Sequence, residues 1–336
     1  MNQWNDKNIL TLSDYLDVGD GYKLYYRVSG NRFSGYPVII LHGGPGAFNA
    51  NPYLRIFDKS KFYLISFDQR GCGSSEPKWI PDSNTIDDQI EDIERIRKHF
   101  KLNKVTLFAG SWGTTLALLY AIRYPENVAS MLLRGIFLAR QEDIDFLYEP
   151  NGAATFYPEA YKKFYNAVAK YDGAKVLEKY YNAWTKILKY KNAKEKEIKL
   201  IQNFCEWEES IVTIEPQERY LTRKQIRQVP VLQEEHKDLF YNQLHFFLNK
   251  SLLPSDNYIL ENAHKIKDIR TYIVHGRQDV DTRPIGAYLL AKELNNVKLT
   301  FINGAAHSIN EPGINHKLKV FADIIYDYLT ENHIQK

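Results

Sequence analysis

The sequence VTLFAGSWG, at residues 105–113, gives the strongest indication of the fold. Its four leading residues are apolar or β-branched, which predicts a short strand buried on both faces, and the residues from Thr114 onward predict a helix. Ser111 lies in the turn between the two, and its small neighbours Gly110 and Gly113 allow the backbone to turn sharply. A turn of this kind holds a serine above the sheet in a strained conformation, so Ser111 is a candidate nucleophile.

Further apolar runs on both sides of this stretch predict more buried strands, at residues 38–41, 63–67, 131–133, 271–276 and 297–302. A helix with apolar residues at helical spacing is predicted at residues 86–100 as a crossover between parallel strands. From residue 138 to residue 263 the chain instead predicts helix after helix. We therefore expect an α/β protein with a mostly parallel central sheet flanked by helices. Its core would comprise residues 1–137 and 264–336, and an inserted helical cap would comprise residues 138–263.

A glycine-rich loop, His42-Gly43-Gly44-Pro45-Gly46, follows the strand predicted at residues 38–41. Glycines let a backbone N–H approach a developing negative charge with no Cβ in the way. We expect the N–H of Gly44, or alternatively that of Gly43, to form an oxyanion hole together with the N–H of Trp112.

Two further candidates, Asp279 and His307, come shortly after the last two predicted strands. Histidine titrates near neutral pH and can accept the proton of a serine hydroxyl, while a carboxylate can orient the ring. Asp281 is a rival for the carboxylate position, although its offset from the strand favours a surface loop residue. The chain order Ser111, Asp279, His307 is that of the α/β-hydrolase fold and predicts a serine hydrolase.

The composition limits the class of partner. The 336 residues are 44% apolar and 14% aromatic, and a formal charge of +3 gives no field that would favour nucleic acid or an anionic membrane. No leader and no membrane span of about 20 apolar residues is evident, so we expect a cytoplasmic protein. The two distant cysteines predict free thiols, and nothing predicts a metal or another cofactor. The expected partner is a short peptide or a small amide or ester.

Taken together, the motifs resemble those of the prolyl iminopeptidases, serine aminopeptidases of the α/β-hydrolase fold that remove N-terminal proline. The shared stretches span nearly the whole chain: residues 42–46, FDQRGCG at 67–73, GSWG at 110–113, LRGIF at 133–137, WE at 207–208, HGR at 275–277 with Asp279, and HS at 307–308 with EPG at 311–313. The stretches at 67–73 and 133–137 are not general hydrolase features, which makes the resemblance specific.

The resemblance implies a role for each matching residue. Acyl transfer would be carried by Ser111, Asp279 and His307, with Gly44 and Trp112 as the oxyanion hole. Phe137 would line the pocket for the N-terminal side chain, and Glu208 would bind the α-ammonium group of the substrate. Gly43 and Gln243 complete the expected substrate-binding residues.

Two departures from the family pattern concern specificity. The family usually has a second ammonium-binding glutamate where this chain has Gln243, and often a cysteine where it has Thr282. A neutral amide still accepts a hydrogen bond, but loss of the charge weakens ammonium recognition by about 1 to 3 kcal/mol. Whether Glu234 or Glu235 replaces the missing carboxylate is left open, and so is the oligomeric state.

We therefore expect a metal-independent aminopeptidase that releases an N-terminal residue, preferentially proline, through an acyl-enzyme. The alternative is an amidase or esterase of the same fold that acts on small acyl substrates without a free amine. The two differ in whether turnover depends on the substrate's amine.

Overall fold

The computed structural model describes residues 10–47, 51–78, 83–191, 193–214 and 234–334. Its strands are β1 (Leu10–Gly19), β2 (Tyr22–Gly30), β3 (Tyr36–Leu41), β4 (Phe62–Phe67), β5 (Val105–Ser111), β6 (Val128–Ile136), β7 (Arg270–Gly276) and β8 (Val297–Ile302). They form one sheet in the order β1-β2-β4-β3-β5-β6-β7-β8. The pairs β1/β2 and β2/β4 are antiparallel and every other pair is parallel, which confirms the predicted mostly parallel sheet.

The described helices are α1 (Asn51–Leu54), α2 (Ile86–His99), α3 (Trp112–Arg123), α4 (Gln141–Tyr148), α5 (Pro158–Val168), α6 (Val176–Ile187), α7 (Ala193–Ile211), α8 (Glu234–Leu248), α9 (Tyr258–Asn262), α10 (Pro284–Glu293) and α11 (Pro312–Glu331). The start of α2 shows why these segments are helical. Thr85 caps it by accepting a hydrogen bond from the N–H of Asp88, whose carboxylate in turn accepts one from the N–H of Thr85. The predicted crossover helix therefore begins at a capping box.

Helices cover both faces of the sheet. Along β3, Ile39 and Leu41 belong to the larger core, which contains apolar residues of α2 and α3. Val38 and Ile40 point to the opposite face and share a second core with residues of α11 such as Leu318. Because both faces are buried, the central strands are continuously apolar, as a parallel sheet requires.

Strands β1 and β2 are absent from the sequence predictions. In β2 the buried Tyr22 and Leu24 flank the exposed Lys23, so the strand alternates in polarity where the central strands are uniformly apolar. Antiparallel strands at the margin of a sheet often have this alternating pattern because one face meets solvent. The alternation of apolar and polar residues is therefore the sequence feature that could have predicted this hairpin.

Every element described between β6 and β7 is a helix, from α4 through α9 with short 3₁₀ turns among them. An aromatic cluster joins these helices, with Phe164 stacked on Tyr180 and Phe204 packed edge-on against Phe240. These helices lie within residues 138–263, where the sequence predicts a helical cap. The division of the chain at these boundaries stays a prediction.

Within the described ranges, no helix has the length and apolar character needed to cross a membrane. Cys72 and Cys205 are both buried and are not joined to each other, in agreement with the predicted thiols. The cellular location stays a prediction.

Candidate active site

The predicted site residues converge at one edge of the sheet. The glycine-rich loop follows β3, Ser111 ends β5, Asp279 follows β7 and His307 follows β8. All four strands are parallel, so their carboxyl ends meet at the same edge, where ligands of open α/β sheets bind. A cavity of 530 Å³ lies there and is lined by Gly43, Gly44, Ser111 and His307, among other residues.

Ser111 has the strained backbone that its motif predicts. Its φ of 58° and ψ of −131° are unusual for a residue with a side chain. A Cβ at Gly110 would lie 2.4 Å from Nη2 of Arg134, and one at Gly113 would lie 2.3 Å from the carbonyl oxygen of Leu41. The two glycines therefore allow the close approaches that set the turn.

The glycine-rich loop is fixed by hydrogen bonds to a buried histidine. Nδ1 of His42 donates to the carbonyl of Gly43 over 2.9 Å, and Nε2 accepts from the backbone N–H of Gln69 over 3.1 Å. These partners define a neutral ring, and burial lowers the pKa of His42 accordingly. The side chain of Gln69 also donates to the carbonyl of His42 over 2.9 Å. The loop is thus held rigid beside Ser111.

The expected oxyanion-hole residues lie beside Ser111. A Cβ at Gly43 would be 3.0 Å from Cβ of Ser111, so the loop touches the candidate nucleophile. Gly44 has a φ of 120°, a conformation that favours glycine. Trp112 is the first residue of α3, and the N–H groups of a first helical turn have no partner within the helix. A helix-start N–H therefore lies on one side of Ser111 and the glycine-rich loop on the other.

Asp279 and His307 form a hydrogen-bonded pair. Nδ1 of His307 lies 2.8 Å from Oδ2 of Asp279, and the carboxylate side chain is fully buried. Burial alone would raise the pKa of Asp279, but the charge of His307 and its hydrogen bond outweigh burial and lower it. Asp279 therefore stays ionised and directs Nε2 of His307 into the cavity.

Several further groups hold this pair in place, and the sequence motifs gave them no such role. Thr282 Oγ1 lies 3.0 Å from Oδ2 of Asp279 and 3.1 Å from Nδ1 of His307. The backbone N–H groups of residues 281 and 282 donate to Oδ1 of Asp279. Arg134, the one charged residue of β6, donates to the carbonyl of His307 over 2.7 Å. An isolated charge in a predicted buried strand is the sequence feature that could have indicated this role.

Asp281 is not the surface residue that its offset from the strand favoured. Its Oδ2 lies 3.2 Å from Nε2 of His307, on the side of the ring opposite Asp279. The side chain is 16% exposed and lines the cavity. Burial raises the pKa of Asp281, and the charge of His307 opposes that rise. The loop turns back on itself after Asp279, which brings both carboxylates to one ring.

Glu208 lies in the same cavity within a polar cluster. Tyr148 donates to Oε1 of Glu208 over 2.5 Å, and Gln243 donates from Nε2 to Oε2 of Glu208 over 2.9 Å. The hydroxyl of Tyr148 also lies 3.1 Å from Oε1 of Gln243. Burial, followed by the nearby charge of Asp281, raises the pKa of Glu208 to about 8. The side-chain positions of Glu234 and Glu235 lie outside what the structure describes.

Apolar side chains form part of the cavity wall. Phe137 is buried, lines the cavity and packs edge-on against Phe247, with ring centroids 5.7 Å apart. Leu147 contributes another apolar side chain. In the described part of the chain, no group of three or more histidine, cysteine, aspartate or glutamate side chains is placed to hold a metal ion.

Comparison with known proteins places these features in a family. The family model described as alpha/beta hydrolase fold matches residues 36–313. A proline iminopeptidase of Arabidopsis thaliana is 36% identical over 313 residues, which cover 92% of this chain and 78% of the relative. A proline iminopeptidase of Neisseria meningitidis serogroup B is 34% identical over 93% of this chain and 96% of its own length.

Solved structures agree on the fold. An alpha/beta fold family hydrolase from Bacillus anthracis superposes with a TM-score of 0.61 at 17% identity, over 94% of this chain and 99% of that structure. A haloalkane dehalogenase variant from Bradyrhizobium elkanii gives a TM-score of 0.62 at 17% identity, over 95% of this chain and 98% of that structure. At such low identity the likeness concerns the fold alone.

Proposed function

The chain belongs to the proline iminopeptidase family of α/β hydrolases, and from that premise we propose that it is a serine aminopeptidase that releases N-terminal proline from peptides. The observation that carries the proposal is the joint placement of three groups in one cavity. These are the strained Ser111, the His307 ring paired with Asp279, and the carboxyl group of Glu208. The first two supply acyl-transfer chemistry, and the third supplies a means to recognise an amine.

In the proposed reaction, Nε2 of His307 accepts the proton of Ser111 as Oγ attacks the first peptide carbonyl. The N–H groups of Gly44 and Trp112 stabilise the negative oxygen of the tetrahedral intermediate. The C–N bond then breaks, and the leaving amine takes the proton from His307, which leaves an acyl-enzyme. Water attacks this ester with His307 again as base, which releases the amino acid and regenerates Ser111.

Asp279 orients the ring and stabilises its cationic form through these steps. Its 2.8 Å hydrogen bond fixes the proton on Nδ1 of His307, so that Nε2 is the atom that exchanges protons with Ser111. The lowered pKa of Asp279 means that it stays charged while His307 gains a proton. Thr282 restrains the same pair from the side as a positioning residue.

Glu208 binds the positively charged ammonium group at the N-terminus of the substrate. An exopeptidase must place a free ammonium at a fixed distance from the scissile carbonyl, and a charged hydrogen bond is a strong means to do so. Tyr148 and Gln243 hold the carboxyl group of Glu208 in place. Although burial raises its pKa to about 8, an adjacent ammonium favours the ionised form.

The apolar wall suits a proline ring. Phe137, Leu147 and Phe247 present hydrocarbon surface to the cavity, whose polar groups cluster around Ser111 and Glu208. An apolar ring with a charged nitrogen would bury its carbons on that wall while the nitrogen meets the carboxyl group. This arrangement favours an N-terminal proline over a larger polar residue.

The decisive experiment compares the 4-nitroanilides of proline, alanine and N-acetylproline as substrates of the wild-type protein. We expect kcat/KM to be highest for proline, lower for alanine and at least about 100-fold lower for the acetylated substrate, because acetylation removes the charge that Glu208 binds. Equal or faster cleavage of N-acetylproline nitroanilide would contradict the proposal. It would favour the amidase or esterase alternative instead.

A further inference from the structure

A second carboxylate, Asp281, faces the same cavity as Glu208. Its Oδ2 lies 3.2 Å from Nε2 of His307, the atom that must exchange a proton with Ser111. The backbone N–H of Asp281 helps to hold Asp279 on the other side of the ring, but the carboxylate of Asp281 takes no part in that pairing. Its position within the cavity therefore indicates a role other than support of the His307 ring.

The contact between Asp281 and His307 is unsuited to the working enzyme. Since Nδ1 of His307 carries the proton shared with Asp279, Nε2 of a neutral ring is an acceptor and repels a carboxylate. The contact becomes attractive only when the ring is doubly protonated or when Asp281 carries the proton. In both arrangements a proton lies between Nε2 of His307 and Asp281, so Nε2 cannot accept the proton of Ser111. Productive catalysis thus requires another partner for Asp281.

A substrate ammonium supplies that partner. It must lie close to the scissile carbonyl, and therefore close to both Ser111 and Nε2 of His307, where Oδ2 of Asp281 is found. The charge of Asp281 also raises the pKa of both Glu208 and Tyr148, which means that the two carboxyl groups share one electrostatic environment. A cation between them would satisfy both.

The other polar groups of the cavity do not fill this role. Gln243 turns its Nε2 toward Glu208 and toward the carbonyl of Gly44, so this amide nitrogen acts as a donor to the cluster. The cation Arg134 donates to the carbonyl of His307 and to the hydroxyl of Tyr53. Glu209 also lines the cavity, but its side chain is 67% exposed and lies 3.4 Å from Nε2 of His236. Among the described residues that line the cavity, Glu208 and Asp281 are therefore the less exposed carboxyl groups, and they are positioned to meet a cation.

We propose that Asp281 is a specificity-determining residue that binds the N-terminal ammonium of the substrate together with Glu208. The inference rests on the aminopeptidase function proposed above. When the ammonium binds, Asp281 leaves Nε2 of His307 for the new cation, and Nε2 becomes available to Ser111. Recognition of the free amine and release of the catalytic base are then one event.

The test uses two esters that differ at one ring atom, the 4-nitrophenyl esters of proline and of cyclopentanecarboxylic acid. The second lacks the nitrogen but keeps the ring and the leaving group. The measured quantity is the ratio of kcat/KM for the two esters, in the wild type, in Asp281→Asn and in the double variant Asp281→Asn/Gln243→Glu. Because Gln243 contacts Glu208, a glutamate there returns a negative charge to the same cavity.

We expect Asp281→Asn to lower the ratio by about 10- to 100-fold through loss of a charge-assisted contact, and the double variant to recover most of that loss. If Asp281 merely supports the His307 ring, both esters slow together, the ratio stays within about threefold of the wild type, and the inference is overturned. A ratio that falls but is not recovered in the double variant also overturns it. Hydrolysis of the amine-free ester reports that the variants are folded.

The wild type separates failure of this inference from failure of the proposed function. A wild-type ratio near one contradicts the aminopeptidase itself, and the inference falls with it. A large wild-type ratio that Asp281→Asn retains leaves the aminopeptidase intact and overturns the role of Asp281 alone.

Discussion

Ser111 occupies a backbone conformation that a residue with a side chain adopts only under constraint. Its positive φ is held by β5 on one side and by the start of α3 on the other, and the loop at Gly43 packs against its Cβ. Such strain is stored at functional sites because the surrounding structure over-determines it. The hydroxyl can therefore change without loss of the fold.

Replacement of Ser111 by alanine is expected to lower kcat by about 10⁴-fold or more, because the nucleophile is removed while the oxyanion donors and the amine-binding groups remain. The free energy of unfolding should change by less than about 1 kcal/mol. Turnover of proline 4-nitroanilide and a denaturant titration measure the two quantities. Ser13→Ala, an exposed serine on β1, is the control and should keep full activity. Substantial turnover by purified Ser111→Ala would remove the nucleophile assignment.

Glu208 predicts a particular pH dependence of amine binding. With a pKa of about 8 the carboxyl group of Glu208 is mostly protonated at pH 6, whereas an adjacent cation requires the carboxylate, so binding of the cation releases a proton. In the Ser111→Ala background, the affinity for prolinamide should therefore rise with pH between 6 and 7.5, by up to about tenfold per unit. Calorimetric titration at several pH values measures this trend.

Glu208→Gln is the matched variant for that measurement, because it keeps the shape of the side chain and cannot ionise. It should bind prolinamide more weakly and with a much flatter dependence on pH. The same steep rise with pH in Glu208→Gln would assign the proton to another group of the cavity.

At the scale of elements, the contact between α3 and the end of β3 sets the position of Ser111. Gly113 lies in the first turn of α3, and a Cβ there would come within 2.3 Å of the carbonyl oxygen of Leu41 and 2.7 Å of that of His42. Both are backbone atoms that no rotamer change can move. The helix can approach the sheet this closely only because residue 113 has no side chain.

Gly113→Ala should therefore lower the free energy of unfolding by about 1 to 3 kcal/mol and displace Ser111, although alanine normally favours a helix. Gly286→Ala is the control, also in the first turn of a helix, α10, where the nearest atom to a new Cβ would be 3.6 Å away. That substitution should be neutral or stabilising by up to about 1 kcal/mol. Urea unfolding of the two variants compares them directly. Equal effects at the two positions would show that the approach of α3 is not the constraint.

At the scale of the whole molecule, a buried ion pair ties the turn after β4 to α2. Nε and Nη2 of Arg70 donate to the two carboxylate oxygens of Asp92 over 2.7 Å and 2.9 Å, and both side chains are almost fully buried. Burial raises the pKa of Asp92 although Arg70 opposes the rise. Without Asp92, the remaining carboxylate near the buried Arg70 is that of Asp88, 4.0 Å away.

We expect Asp92→Asn to destabilise the protein by about 3 to 5 kcal/mol, since it leaves Arg70 buried without its nearest counter-charge. The exposed pair Lys61–Asp323, 2.9 Å apart, gives the control variant Asp323→Asn, which should cost less than about 1 kcal/mol. Thermal and urea unfolding measure both changes. Similar losses of unfolding free energy in the two variants would mean that burial does not determine how much these ion pairs contribute to stability.

The catalytic candidates could be identified from the sequence, because each lies within a few residues of the end of a predicted strand. Carboxyl ends of parallel strands meet at one edge whatever the detailed packing, so Ser111, Asp279 and His307 could be brought together from strand order alone. The local pattern was less informative about where elements end. Strand β5 continues to Ser111, past the predicted end at residue 108, because its pairing with β6 overrides the weak β-propensity of Ala109 and Gly110.

The polar contacts around Glu208 and His307 are evident only in the tertiary structure. Tyr148 meets Glu208 across 60 residues of chain and Gln243 across 95, in helices whose sequence periodicity records burial but not partners. Asp281 was misplaced for a related reason: its offset from β7 gives its position along the loop, while the fold of that loop onto His307 decides where the carboxylate points. Each strand can be predicted from a short segment of sequence, whereas contacts between distant side chains arise only when the whole core packs.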